Sequence, residues 1–198
     1  NEQAHIMKDH CINCGHCLEV CPQNAKTFAS DMERVKGYLG RGEKVIISIA
    51  PSYLGVLDYR KPGQVVAALE KLGFAQVRET AEGAALVTRE YGKLLREGKM
   101  ENIITTCCPS VNDLIEKYYP SLTRWMAPVV SPMIAHGRLI RDIYGDGVKV
   151  VFLGPCIAKK NEVMSQYIQE LEYVLTFEEL YAMLCAKGIE AEAIAVPD

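Results

Sequence analysis

Val45-Ile46-Ile47-Ser48-Ile49 is an almost unbroken apolar run rich in β-branched residues. Such a run reads as a strand buried on both faces, and buried strands of this kind belong to parallel sheets covered by helices. Four further strand candidates follow, at residues 75–78, 103–106, 149–153 and 173–175. Helical patterns separate them, at 63–72, 82–97, 111–118, 132–144 and 160–170. Gly73, Gly98 and Gly145 stand where helix C-terminal caps belong. A last helix opens at Thr176, with Glu179 three residues on as a capping box, and residues 193–196 offer a final short strand. Strand and helix alternating at this spacing predict an α/β fold, a parallel sheet with helices on both faces.

The first thirty residues hold little that could make a core. They carry instead Cys11, Cys14, Cys17 and Cys21, at spacings of two, two and three, with Pro22 after the last. This is the spacing of the bacterial ferredoxin run. Short gaps let three thiolates converge from one tight loop onto neighbouring irons of a cubane, and Pro22 turns the chain away without a buried N–H. Disulfide frameworks belong to small secreted domains, and zinc sites use two separated Cys-x-x-Cys pairs, so a 4Fe-4S cluster is the expected occupant. The predicted organisation is a partial ferredoxin-type module over 1–30, a linker helix and turn over 31–43, with Met32, Val35 and Leu39 on one helix face, and an α/β lobe over 44–198.

Composition sets the limits. The 198 residues are 49% apolar and 24% charged, with a net charge of −3. No basic surface argues for nucleic acid, and no uncharged stretch approaches the ~20 residues of a membrane span. Eight cysteines without secretory features imply a reducing, cytoplasmic setting and metal chemistry. Position 1 is Asn, which implies processing or a chosen boundary.

In open parallel sheets, sites gather beyond the carboxyl ends of the strands. Those ends here run into Ala50-Pro51-Ser52, Thr105-Thr106-Cys107-Cys108-Pro109-Ser110 and Gly154-Pro155-Cys156-Ile157-Ala158-Lys159-Lys160-Asn161-Glu162. If the strands are parallel neighbours, Cys108 and Cys156 can share one ligand, and Lys159 can hold an anionic group. The plainer alternatives are cysteines that only pack and a solvated lysine. Cys185 reads as a packing residue within an apolar helix. Glu79 and Glu82 could relay protons, against the simpler account of a solvated helix start. His16 and His136 have no partner at ligand spacing and receive no role.

Together these loops resemble the iron-only, or [FeFe], hydrogenase large-subunit family. The family reads Thr-Ser-Cys-Cys-Pro where this chain has Thr105-Thr106-Cys107-Cys108-Pro109. It reads Pro-Cys-x-x-Lys-Lys-x-Glu where this chain has Pro155-Cys156-Ile157-Ala158-Lys159-Lys160-Asn161-Glu162. Ala50-Pro51-Ser52 and Ser131-Pro132 resemble family loops that line the active cluster. The resemblance implies one lobe of a hydrogenase-like active domain, with Cys108 and Cys156 ligating its cubane and Cys107 passing protons. It implies that Lys159 hydrogen-bonds a cyanide on iron, and that Cys11, Cys14, Cys17 and Cys21 belong to an accessory electron wire. The activity implied is 2H⁺ + 2e⁻ ⇌ H₂, with a redox partner such as ferredoxin.

Departures from the family shape this expectation. Gly154 stands where catalytic members carry methionine, and Val111 where tryptophan is common; both resemble sensory members. The family's Glu-x-Met-x-Cys-x-x-x-Cys segment has no counterpart, and two ligands cannot hold a cubane that uses four. Family relatives also carry a partner cysteine run upstream, without which the Cys11/Cys14/Cys17 cluster lacks its fourth ligand unless Cys21 substitutes after rearrangement. The expectation is therefore a truncated, sensory-type member that needs the remainder of its parent chain for the di-iron cluster and is inactive alone. Rival readings are a ferredoxin-type electron carrier or redox sensor, an iron–sulfur assembly role, and a structural α/β module.

Overall fold

A computed structural model describes residues 5–166 and 169–196. The elements in chain order are α1 (His16–Glu19), α2 (Met32–Gly40), β1 (Val45–Ile49), α3 (Pro62–Leu72), β2 (Gln76–Glu79), α4 (Ala81–Glu97), α5 (Pro109–Tyr118), α6 (Pro132–Tyr144), β3 (Lys149–Leu153), α7 (Ala158–Gln166), β4 (Tyr173–Leu175) and α8 (Phe177–Ala186). Short 3-10 turns cover Pro51–Gly55, Pro120–Trp125 and Ala191–Ala193. The four strands form one parallel sheet in the order β2-β1-β3-β4.

The two faces of the sheet carry separate apolar layers. Val45, Ile47, Ile49, Val151, Leu153 and Leu175 pack on α2, α3 and α8. Ile46, Val150, Phe152 and Val174 pack on α6 and α7. Every residue of β1 is buried, as a central strand with two covered faces requires; each large aliphatic side chain so placed contributes about 1.5–3 kcal/mol. Helix α4 closes on α6 so tightly that a Cβ at Gly83 would lie 2.2 Å from the Pro132 carbonyl oxygen.

Two expected strands are absent from this sheet. Residues 103–106 are β-branched, but only Ile104 makes a bridge, to Met126. The segment is fastened elsewhere: the Thr106 hydroxyl donates to the carbonyls of Ala127 (3.0 Å) and Val129 (2.6 Å), and its N–H donates to the Tyr91 hydroxyl at 3.0 Å. Residues 193–196 form no strand; the chain there follows the 3-10 turn, and the Gln64 amide donates to the carbonyls of Glu192 and Ile194. The expected helix over 160–170 runs in part outside the described residues; α7 begins earlier, at Ala158. The capping box forms as anticipated, with the Thr176 hydroxyl accepting from Glu179 N–H at 3.2 Å and the Glu179 carboxylate from Thr176 N–H at 2.8 Å.

Candidate iron–sulfur site

The central strands β1 and β3 lie side by side, and their ladder runs past the strand ends. Ala50 N–H donates to Leu153 O at 2.8 Å and Gly154 N–H to Leu175 O at 3.1 Å. Pro51 then opens a 3-10 turn, where its fixed φ suits a first helical position. Ala50 is buried, while Pro51 and Ser52 face solvent. A Cβ at Gly154 would stand 2.6 Å from the Phe152 ring and 3.2 Å from the Ala50 Cβ, so the Phe152 ring already fills the space a side chain at 154 would take. Gly154→Met therefore costs about 1–3 kcal/mol in urea unfolding. Paired with Phe152→Ala it costs less than the two single changes together, and strict additivity would refute the shared space.

Cys107 and Cys108 do not sit at the end of a sheet strand, contrary to expectation. They lead into α5, with extended backbone at Cys108 and Pro109 at the first helical position. Lys159 ties this loop to the one carrying Cys156. Its ammonium donates to the Cys107 carbonyl at 3.0 Å and to the Glu162 carboxylate at 2.7 Å. Its side chain is 12% exposed, so it is not the solvated lysine of the plainer reading. Asn112 Nδ2 donates to Thr106 O at 3.0 Å, bracing the loop from the first turn of α5.

The amino-terminal cysteine loop docks on these same elements. Asn13 Nδ2 donates to Asp113 Oδ2 at 2.9 Å, Lys117 Nζ to the Cys11 carbonyl at 2.6 Å, and the Tyr118 hydroxyl to the His10 carbonyl at 2.7 Å. Gly15, with φ +83°, lets the loop turn, and a Cβ there would touch Ile157, next to Cys156, at 3.0 Å. A cavity of about 460 Å³ lies between loop and lobe, lined by Cys11, Cys17, Leu18, Phe28, Ile157 and Met164 among others. Cys14 is exposed and Cys21 lies further along the loop, where its sulfur accepts from Ala25 N–H at 3.3 Å. The N–H groups of Ala25 and then Gln23 hold the Cys21 thiol below its ordinary pKa, which favours the thiolate that binds metal. None of the eight cysteines is paired in a disulfide.

These features fit a cubane: the loop offers a largely apolar cavity lined by Cys11 and Cys17 and an N–H donor aimed at sulfur, from Asn13 to Cys11 Sγ at 3.4 Å.

Residues 43–197 match the model described as iron only hydrogenase large subunit, C-terminal domain. The chain belongs to that family. Residues 4–27 match the 4Fe-4S binding domain model, so this member of the iron-only hydrogenase family carries an iron–sulfur segment ahead of its α/β lobe. Similar curated proteins include the NADP-reducing hydrogenase subunit HndD of Solidesulfovibrio fructosivorans, 29% identical over 95% of this chain and 37% of the relative. Iron hydrogenase 1 of Clostridium pasteurianum is 29% identical over 90% of this chain and 43% of the relative. The chain thus spans less than half the length of these relatives. A solved [FeFe]-hydrogenase, HydA(deltaEFG), shares the fold with a TM-score of 0.74 and 23% identity, over 86% of this chain and 50% of that one. Among the described residues no helix is long and apolar enough to cross a membrane.

Several side chains behave differently from their sequence reading. Cys185 is exposed on α8 rather than packed. Glu79 is exposed, as a solvated helix start would be, but Glu82 is clamped by two of the three guanidinium nitrogens of Arg78, Nε and Nη2, and that pairing holds its carboxyl below the usual range. Lys160 and His136, neither given a role from sequence, are both buried and hydrogen-bonded. Adjacent lysines carry no local signal that one points inward, and the partners of His136 are far away in sequence.

Proposed function

We propose that this chain is the cubane-binding lobe and adjoining electron entry of a hydrogen-linked iron–sulfur protein, in which the complete protein interconverts or senses H₂. One observation carries the reading: Lys159 bridges the Cys107-Cys108 loop to the Cys156 loop at the carboxyl edge of the sheet, where the amino-terminal cysteine loop also docks. Cys108 and Cys156 are the lobe's two cubane ligands, and the remaining ligands come from the rest of a longer protein. Ala50, Pro51 and Ser52 close the same edge beside Gly154. Cys11, Cys14, Cys17 and Cys21 are the thiolates of the amino-terminal 4Fe-4S cluster.

When bound, the iron clusters supply the electron storage and hydrogen chemistry. The chain's own residues supply the rest. Cys107, exposed at the head of α5, carries protons to and from the site through its thiol. The Lys159 ammonium fixes the loop and presents positive charge to an anionic cluster ligand. Phe152 and Ala50 keep the flank of the site dry. Electrons enter from a soluble redox partner such as ferredoxin, in the cytoplasm. The sensory alternative is favoured by Gly154, whose place is taken by the Phe152 ring rather than by a methionine side chain.

The test is metal content. Cys108→Ser and Cys156→Ser in the full-length protein, matured anaerobically, each remove roughly four irons and four acid-labile sulfides per chain. Unchanged iron and sulfide in both variants would leave these cysteines as packing residues and end the proposal.

A further inference from the structure

One ion pair on α5 grips both ends of Cys11-Ile12-Asn13. Lys117 Nζ donates to the Cys11 carbonyl at 2.6 Å and the Lys8 carbonyl at 3.4 Å. It stands 3.3 Å from Asp113 Oδ1. The other Asp113 oxygen accepts from Asn13 Nδ2 at 2.9 Å. Asn13 is held at φ +57°, a left-handed conformation that asparagine tolerates better than most residues. In that conformation its N–H donates to Cys11 Sγ at 3.4 Å. The pair thus touches the Cys11 carbonyl directly and reaches the Cys11 sulfur through Asn13.

We propose that Lys117 and Asp113 are positioning residues for the amino-terminal cluster: they fix Cys11 and, as opposite charges beside it, set its reduction potential in opposite senses. The inference rests on the cluster reading above. A one-electron reduction adds negative charge to the cluster. A nearby ammonium stabilises that reduced state and a nearby carboxylate opposes it. Hydrogen bonds to cluster sulfurs act in the same direction as the cation. Losing Lys117 removes the positive charge beside the cluster, which lowers the midpoint. Asp113→Asn keeps an oxygen acceptor for Asn13 while deleting the carboxylate charge, so the midpoint rises.

The experiment is a dithionite titration of the full-length protein, matured anaerobically and followed by electron paramagnetic resonance of the amino-terminal cluster. Iron and sulfide are counted in every sample. Lys117→Met is expected to shift the midpoint negative and Asp113→Asn positive, both with unchanged iron content. Lys117→Gln, which keeps an N–H donor, shifts the same way as Lys117→Met and serves if the latter does not fold. Tyr118→Phe removes the neutral tie to the His10 carbonyl and leaves the midpoint unmoved. Midpoints equal to wild type in loaded Lys117 and Asp113 variants overturn the proposal and leave the cluster reading standing. So do shifts of one common sign shared with Tyr118→Phe, which mark mere loosening. A wild-type protein without the amino-terminal cluster overturns both.

Discussion

Lys160→Met is expected to lower the unfolding free energy by about 3–5 kcal/mol. The Lys160 ammonium is fully committed: it donates to Asp31 Oδ2 at 3.1 Å, Glu179 Oε2 at 2.9 Å and the Val174 carbonyl at 2.6 Å. The side chains of Asp31 and Glu179 are only 10% and 7% exposed. Burial opposes ionisation of Glu179. Hydrogen bonds from Ser30 (2.6 Å), Lys160 and Thr176 outweigh it and hold its carboxyl below the ordinary range. Removing the ammonium leaves the Glu179 carboxylate without a charged partner and Asp31 with only the exposed Arg34, 3.6 Å from its other oxygen, which costs far more than the pair itself is worth. The loss is read as a fall in the urea midpoint at constant m. Asp31→Asn and Glu179→Gln, added to Lys160→Met, delete the stranded charges and restore most of the stability. A single variant within about 1 kcal/mol of wild type would mean that water reaches the site. The network also has a place in the architecture. Ser30 and Asp31 lie between the cysteine segment and α2, so Lys160 fastens that junction to α7 and α8, directly beyond the Cys156 loop.

The same residues mark where sequence is legible and where it is not. Three of the four strands are readable from continuous apolar runs, because a strand covered on both faces has no polar side to interrupt the pattern. The α8 start is readable because a capping box is local, three residues from end to end. Residues 103–106 have the composition of a strand, but their hydrogen bonds go to Trp125 and Ala127 and their side-chain ties to 127–129, pairings that no local pattern encodes. The cysteine motifs identify the chemistry because cubane ligation demands short, fixed spacing. The docking of one motif on the other escapes sequence for the opposite reason: Asn13 and Asp113 are a hundred residues apart. Lys159 and Lys160 are neighbours of the same type, yet one reaches the Cys107 carbonyl and the other a buried carboxylate pair.

The protein is expected to lose up to about 3 kcal/mol of stability as the pH falls from 6.5 to 4, through His136 alone. The cause begins in β1. Ser48 is the polar member of that strand and is fully buried, so its hydroxyl must find partners inside. It finds the Thr80 hydroxyl at 2.7 Å and His136 Nδ1 at 2.7 Å. His136 is itself fully buried on α6, and its Nε2 has no hydrogen-bond partner. The nearest carboxylate, Glu82, is 3.8 Å away and held by Arg78. Burial pushes the imidazole pKa down to about 4; Glu82 pulls against that and Arg78 adds to it. The folded protein therefore keeps His136 neutral where the unfolded chain, titrating near 6.5, takes up a proton. The unfolded state binds more protons between those two values, so stability is full above pH 6.5 and declines toward pH 4. Other acidic groups add their own slopes, and a variant separates them. His136→Leu removes the titration, leaves Thr80 to satisfy Ser48, and flattens the unfolding free energy over this window relative to wild type. Parallel pH curves for the two proteins would mean that His136 takes up its proton in the folded state, with Glu82 close enough to pair with the imidazolium.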